Sequence, residues 1–104
     1  MKPVRIRPLA DREVDELADY IAQDNLDAAL RFLDAVQKTF DLISEHPGIG
    51  SPRFAHLPML EGMRVCAVTD FESYLVFYLE RETYVDVLRV LYGARDIPAI
   101  LSET

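Results

Sequence analysis

The chain contains few of the residues from which most catalytic and metal sites are built. Cys66 is the single cysteine, His46 and His56 are the only histidines, and Lys2 and Lys38 are the only lysines among 104 residues. One cysteine excludes an internal disulfide and is typical of a reducing compartment, so we expect a cytoplasmic protein. Neither histidine has a cysteine partner or a carboxylate array at ligand spacing. The sequence therefore predicts no metal site and no cofactor.

Long apolar runs are absent too. No stretch approaches the ~20 residues of a membrane-spanning helix, and no apolar segment follows the basic N-terminal residues, so we expect neither a membrane anchor nor a secretory signal. A Ser-His-Asp arrangement and a glycine-rich phosphate loop are also missing, because Gly48-Ile49-Gly50 only ends a helical pattern. The length of 104 residues suits one domain, 1–104.

Positive charge is scarce and unevenly distributed. The formal net charge is −7, and residues 9–46 alone carry three basic residues against ten acidic ones. Residues 47–104 carry five arginines against eight acids and no lysine. Proteins that bind nucleic acid usually need a basic field, because neutralising phosphates supplies most of the affinity. We therefore expect no direct nucleic-acid binding.

Hydrophobic spacing predicts an α+β domain of two layers. A short strand is followed by two helices whose brief connection makes an antiparallel hairpin, and then by a three-stranded antiparallel meander. The predicted elements are the strand Pro3–Pro8, the helices Leu9–Asn25 and Leu26–Glu45, the strands Met63–Thr69, Tyr74–Leu79 and Tyr84–Tyr92, and a helical turn Ile97–Leu101.

The spacing also predicts which side chains form the core. Apolar residues at intervals of three and four place Phe32, Val36, Phe40 and Ile43 of the second helix against the sheet, together with Val14, Leu17 and Ile21 of the first. Strict alternation in the last strand places Val85, Val87, Arg89 and Leu91 on one face and Tyr84, Asp86, Leu88, Val90 and Tyr92 on the other. The middle strand is apolar on both faces, so we expect a partner to cover the side with Tyr74, Val76 and Tyr78.

Arginines are the strongest candidates for a binding surface. Arg64, Arg89 and Arg95 all belong to the meander, whose strands are otherwise mostly apolar. The alternative is structural ion pairing, of Arg95 with Asp96 or Asp70 and of Arg89 with Asp86 or Glu72. We expect at least one of the three to contact a partner.

Several motifs occur in the order found in a known superfamily. The first helix reads Ala10-x-x-Glu13-Val14-x-x-Leu17-x-x-Tyr20-Ile21, the sheet begins Gly62-Met63-Arg64, and the last strand ends Arg89-Val90-Leu91-Tyr92-Gly93-Ala94-Arg95-Asp96. The last segment is similar to the family's Arg-Val-Leu-His-Gly-Ala-Arg-Asp, with Tyr92 in place of histidine. Over residues 3–96 the chain resembles the RelE/ParE superfamily of type II toxin–antitoxin toxins, and it is most similar to the ParE branch.

This resemblance implies a fold and a function. It places the first strand beside the last, and it implies a toxin that inhibits DNA gyrase as a protein ligand, without catalytic residues. It also implies neutralisation by a cognate antitoxin of ribbon-helix-helix type. The candidate contacts with target or antitoxin are Arg64, Arg89, Tyr92 and Arg95.

Two alternative functions stay open at this point. RelE-type toxins cleave messenger RNA on the ribosome, and Arg64 and Arg95 match arginines of that branch. However, residues 53–60 contain none of the lysines that precede the Gly-x-Arg strand in that branch, and residues 97–104 lack its tail tyrosine. The other alternative is a retired toxin that serves only as a binding partner of its antitoxin.

Overall fold

The computed structural model describes residues 1–52 and 61–102. Its elements are β1 (Val4–Ile6), α1 (Pro8–Ala22), α2 (Leu26–Glu45), a 3₁₀ turn (Pro47–Ile49), β2 (Arg64–Val68), β3 (Phe71–Glu80), β4 (Val85–Tyr92) and α3 (Ile97–Leu101). The predicted α+β class and the order of the elements are confirmed, and α2 has the predicted bounds. Among the described residues, no helix has the length and apolarity needed to cross a membrane.

Local chemistry explains where the hairpin helices begin and end. Pro8 opens α1, where its fixed φ suits the first turn and its missing N–H is not needed. Asn25 has extended backbone angles, and its side chain accepts a hydrogen bond from the N–H of Ala28 at 3.0 Å, which makes it the N-cap of α2. As the N-cap of α2, Asn25 cannot belong to α1, and α1 ends at Ala22 with Gln23 as its C-cap and not at the predicted Asn25.

The four strands form one mixed sheet in the order β1-β4-β3-β2. Strands β2, β3 and β4 make the predicted antiparallel meander. Strand β1 pairs with β4, which confirms its expected position beside the last strand, and the two run parallel. The sheet therefore joins the N-terminal residues directly to the strand that carries Arg89.

The main core lies between the helix hairpin and one face of the sheet. Phe32, Val36, Phe40 and Ile43 of α2 are buried there together with Val14 of α1, and Leu17 and Ile21 pack against them while partly exposed. The sheet contributes Val68, Val76, Tyr78, Val85, Val87 and Val90. The predicted helix faces are confirmed.

A β-bulge in β4 makes the predicted alternation of that strand wrong. Tyr78 pairs with Val87 while the preceding Phe77 pairs with Arg89, so Leu88 is an extra residue in the ladder. As a result Val90 joins Val87 in the helix-facing core, whereas Leu88 belongs to the opposite cluster. A single inserted residue exchanges the faces of the residues that follow it.

The second face of the sheet is covered by the chain itself. Its cluster contains Met63, Val65, Leu75, Phe77, Leu88 and Leu91, closed by Ile97 and Leu101 of α3. Asp96 caps α3 by accepting a hydrogen bond from the N–H of Ala99. The expectation that a partner covers this side of β3 is wrong for Val76 and Tyr78, which are fully buried under the hairpin. Tyr74 packs against the same core and stays partly exposed.

Candidate functional site

Arg89 forms an ion pair with Glu13 that connects the bulge of β4 to α1. Its Nε donates to both carboxylate oxygens at 3.0 Å and its Nη2 donates to Oε2 at 2.7 Å. The Arg89 and Glu13 side chains are only 11% and 10% exposed. The same carboxylate accepts the buried backbone N–H of Val90 at 3.1 Å. The partner of Arg89 is thus Glu13 and neither Asp86 nor Glu72, the two partners considered from sequence.

Sequence reasoning did not identify this role of Glu13, although the sequence contains a signal for it. Glu13 stands three residues after Ala10 and four before Leu17, which is the spacing of the apolar face of α1. A carboxylate at such a position must be paired, because an unpaired buried charge is costly. Arg89 lies in a mostly apolar strand, and its positive charge must likewise be paired.

Arg64 holds the turn that follows α2. It is half-buried, and its Nη1 donates to the carbonyl oxygen of Gly50 at 2.7 Å. The hydroxyl of Tyr78 completes this attachment by donating to the Pro47 carbonyl at 2.7 Å and accepting from the Gly50 N–H at 2.9 Å. A Cβ at Gly50 would lie 2.6 Å from that hydroxyl, so the close approach requires glycine. Arg64 therefore contributes to the packing of its own chain.

Asp86 is a second acid bound to arginine, and it binds two arginines. Arg7 makes two hydrogen bonds with it, at 3.1 and 3.0 Å, and Arg81 adds two more, at 3.3 and 3.1 Å. Burial alone would raise the pKa of the Asp86 carboxyl, but the hydrogen bonds from Arg7 and Arg81 outweigh it and hold that pKa below its usual value. This cluster fastens the strand β4 to the segment between β1 and α1.

Tyr92 belongs to a group of aromatic side chains at the surface. Its ring lies 5.3 Å from that of Tyr74, which in turn makes an edge contact with Phe32 at 5.0 Å. Leu17, Tyr20, Tyr74 and Tyr92 line a groove of about 320 Å³, which we call the aromatic groove. Burial raises the pKa of the Tyr74 hydroxyl, and the neighbouring Tyr92 and Tyr20 raise it further. Tyr20 is 71% exposed and Tyr92 41% exposed, so the groove is open to another molecule.

Arg95 lies beside the aromatic groove. Its backbone N–H donates to the carbonyl of Tyr92 at 3.2 Å, and the residue lines a cleft of about 230 Å³ together with Tyr92, Leu17 and Glu16. Within residues 1–52 and 61–102 the guanidinium makes no ion pair, with Asp96, Asp70 or any other acid. The structure thus brings Tyr92 and Arg95 together at an open surface, while Arg64 and Arg89 are engaged internally.

The described residues offer little for covalent or metal chemistry. The Cys66 thiol is half-buried, and burial raises its pKa, which disfavours the nucleophilic thiolate. No group of three or more histidine, cysteine or acidic residues in the described ranges is placed to hold a metal ion. His56 and the rest of segment 53–60, together with residues 103 and 104, lie outside those ranges.

Comparison with known proteins identifies the family. Residues 4–97 match the model of the ParE toxin of the type II toxin–antitoxin system parDE. Toxin ParE1 of Caulobacter vibrioides is 31% identical over 102 residues, which are 97% of this chain and 99% of that protein. A solved chain of the chromosomal ParDE TA system from P. aeruginosa has the same fold, with a TM-score of 0.70 at 16% identity, over 86% of this chain and 94% of that chain. The protein therefore belongs to the ParE toxin family of type II toxin–antitoxin systems.

Proposed function

We propose that this toxin inhibits DNA gyrase by binding it in the cytoplasm, and that a cognate antitoxin of ribbon-helix-helix type neutralises it. Membership of the ParE family implies the antitoxin partner. The observation that carries the binding mechanism is the open surface formed by the aromatic groove and Arg95, which is available to a protein ligand.

The composition of this surface suits a protein–protein contact. Tyrosine and arginine are enriched among the residues that contribute most to binding energy, because they bury large areas and still make directed hydrogen bonds. Tyr20 and Tyr92 supply exposed ring area, and Tyr74 anchors the groove to the core through Phe32. Arg95 adds a cation that a carboxylate of the partner can bind as a charge-assisted hydrogen bond.

Arg64 and Arg89 are bound within their own chain, which favours gyrase binding over ribonuclease chemistry. A RelE-type reaction would need Arg64 and Arg95 to contact phosphate, and Arg64 would have to leave the Gly50 carbonyl to do so. We therefore assign Arg64 and Arg89 to holding the fold, Tyr92 and Arg95 to partner contact, and no residue to catalysis.

The test is to express the toxin alone and to follow growth, DNA supercoiling and messenger RNA integrity in the same cells. We expect growth arrest with loss of negative supercoiling and intact messenger RNA. Position-specific messenger RNA cleavage would instead establish the RelE-type alternative. Normal growth, together with tight binding to the antitoxin, would establish a retired toxin.

Variants of the surface then locate the contact. Tyr92→Ala and Arg95→Glu should each weaken toxicity or antitoxin binding at least tenfold. Arg95→Glu should leave the unfolding midpoint unchanged because its side chain is exposed, and Tyr92→Ala should lower it only slightly, through loss of the ring contact with Tyr74. Arg31→Glu is the matched control, since it reverses an exposed charge on α2 that does not line the aromatic groove. If all three variants behave like the parent, the contact lies elsewhere.

A further inference from the structure

The five tyrosines of the chain differ in how much of each is used by its own fold. The hydroxyl of Tyr78 bonds to two backbone groups of the turn after α2, and the ring of Tyr84 carries the guanidinium of Arg5, 4.5 Å from its centroid. The other three line the aromatic groove: Tyr20, Tyr74 and Tyr92. Among the described residues, nothing hydrogen-bonds to their hydroxyls and no cation lies over their rings. Their polar capacity is thus left for another molecule.

The aromatic groove continues into a cleft on each side. Toward the connection between α1 and α2 it shares Tyr20 and Tyr74 with a cleft of about 760 Å³, which Asp24 also lines. In the other direction it shares Tyr20 and Tyr92 with the cleft of about 230 Å³ that Glu16 lines. Both acids are exposed. The tyrosine rings therefore lie between two carboxylates.

Neither carboxylate is neutralised by the part of the chain that the structure describes, since Asp24 and Glu16 make no ion pair there. The C-terminus of α1 and the N-terminus of α2 meet beside Asp24, so their opposite dipoles offset each other and the carboxylate sets the local sign. Arg95 lines the far cleft, where Glu13 is already paired with Arg89. A cation is therefore attracted to the rings from the side of Asp24.

The rings themselves also favour a cation. The face of an aromatic ring carries partial negative charge, and a guanidinium within about 6 Å of the centroid is attracted to it. Arg5 over Tyr84 is an example of this contact within the chain. In the groove, the rings of Tyr74 and Tyr92 lie 5.3 Å apart with their planes tilted by 49°, and an edge contact with Phe32 holds Tyr74 in place. These walls are formed before a partner arrives, so little side-chain freedom is lost on binding.

Arginine suits the groove better than lysine or an apolar side chain. Its guanidinium is planar and weakly hydrated, so it stacks on a ring and still presents N–H donors at its edge. The tyrosine hydroxyls and the carboxylates of Asp24 and Glu16 can accept hydrogen bonds from those donors. An apolar side chain would cover the same hydroxyls and leave them without a partner, which costs binding energy.

We propose that the aromatic groove binds an arginine side chain of the partner protein, with the guanidinium on the tyrosine rings and the carboxylates of Asp24 and Glu16 on either side. The inference rests on the proposed function, because it assigns the chemistry of the partner at the same surface. Arg95 beside the groove binds a carboxylate of that partner, so the partner presents a base and an acid next to each other. This charge order, and not apolar area, distinguishes the partner from other proteins.

Two small probes test the charge requirement. Nα-acetyl-arginine amide and Nα-acetyl-citrulline amide have nearly the same shape, and only the first is charged. Each is titrated at low salt into the full chain with ring-labelled tyrosines, and the NMR shifts of the rings are followed. We expect the arginine probe to shift the rings of Tyr20, Tyr74 and Tyr92 and to bind about fivefold more tightly than the citrulline probe. The Tyr84 ring, which already carries Arg5, is the internal reference and should not move.

Leucine variants separate the effect of the ring faces from that of apolar area. Tyr20→Leu and Tyr92→Leu should each reduce binding of the arginine probe to the level of the citrulline probe, because leucine is apolar and has no π face. Tyr84→Leu is the matched control, since it makes the same change outside the groove and should leave the preference intact. The tyrosine NMR spectrum of each variant verifies that it is folded.

Charge variants locate the bound cation. Asp24→Asn and Glu16→Gln should each weaken binding of the arginine probe about two- to fivefold, the range for exposed charge pairs. Arg95→Gln should strengthen that binding, because it removes a like charge. Asp15→Asn is the matched control, since Asp15 is an exposed acid of α1 that lines neither the groove nor its clefts. Binding of the uncharged citrulline probe should change in none of these variants.

Three results would overturn the inference. The first is the absence of an arginine preference in the parent chain, whether both probes bind or neither does. The second is a preference that survives both Tyr20→Leu and Tyr92→Leu, and the third is an equal loss in Asp15→Asn and Asp24→Asn. A toxin that relaxes supercoiling in cells without this preference overturns this inference alone. A preference in a chain that leaves supercoiling unchanged overturns gyrase inhibition and keeps the arginine site.

Discussion

Replacing Glu13 by alanine should destabilise this protein far more than replacing any exposed acid of the same helix. The Glu13 carboxylate accepts hydrogen bonds from the Nε and Nη2 of Arg89 and from the buried N–H of Val90. Both side chains of the ion pair are about nine-tenths buried. Alanine at position 13 therefore removes the acceptor of three donor nitrogens and the counter-charge of a buried guanidinium at once.

The expected loss is about 3–5 kcal/mol of unfolding free energy, the usual cost of removing one partner of a buried ion pair. Small domains have a total of about 5–15 kcal/mol, so the variant should be marginally folded at room temperature. Glu13→Gln should lose less than Glu13→Ala, because its amide oxygen can still accept from Val90 while the charge is gone.

Urea unfolding followed by circular dichroism measures these differences. Glu16→Ala is the matched control, since Glu16 is an exposed acid of α1 and should change stability by less than about 0.5 kcal/mol. Glu13→Leu combined with Arg89→Met should recover part of the lost stability, because no unpaired charge remains. The part that is not recovered measures the cost of leaving the Val90 N–H without its acceptor. This account of the ion pair would be refuted if the unfolding free energy of Glu13→Ala lay within about 1 kcal/mol of the parent's, close to the change expected for the control.

Three further predictions concern other parts of the fold. Because the pKa of Asp86 is lowered in the folded state, its contribution to stability is present above about pH 4 and is lost as the pH falls through the folded pKa. Asp86→Asn should therefore reduce the fall in unfolding free energy at acid pH. An unchanged fall would exclude Asp86 as its source. Tyr78→Phe removes hydrogen bonds to Pro47 and Gly50 and should cost about 1–3 kcal/mol in urea unfolding, whereas no change would show that the Tyr78 hydroxyl does not stabilise the turn after α2. Phe40→Ala should cost about 3–5 kcal/mol, and an unchanged melting curve would contradict the packing of α2.

The helical half of the fold could be predicted closely from the sequence because its signals are local. Apolar residues at intervals of three and four located the buried face of α2, and the polar pair at Asp24 and Asn25 located the break between the helices. The end of α1 was predicted three residues too late, since spacing alone does not show that Asn25 adopts extended angles as an N-cap. Local patterns thus identify the elements well and their ends less well.

The sheet was harder because its geometry depends on pairing between distant strands. The bulge at Leu88 arises from the register of β4 against β3, and no local pattern within β4 reveals it. The same is true of the second core, where α3 covers the face of the sheet opposite the hairpin, which carries Leu75 and Phe77. A five-residue helix after the last strand has too little sequence to predict that it closes a core.

The distribution of the arginines determines how variants of this toxin must be interpreted. Arg64 and Arg89 support the fold, so substitutions there lower stability, and with it the amount of folded toxin in a cell. Loss of toxicity in such variants cannot be separated from loss of protein unless abundance is measured. Tyr92 and Arg95 are exposed, and the same change in toxicity at constant abundance would report a contact. Among the four candidates, a partner surface can therefore be located only through these two positions.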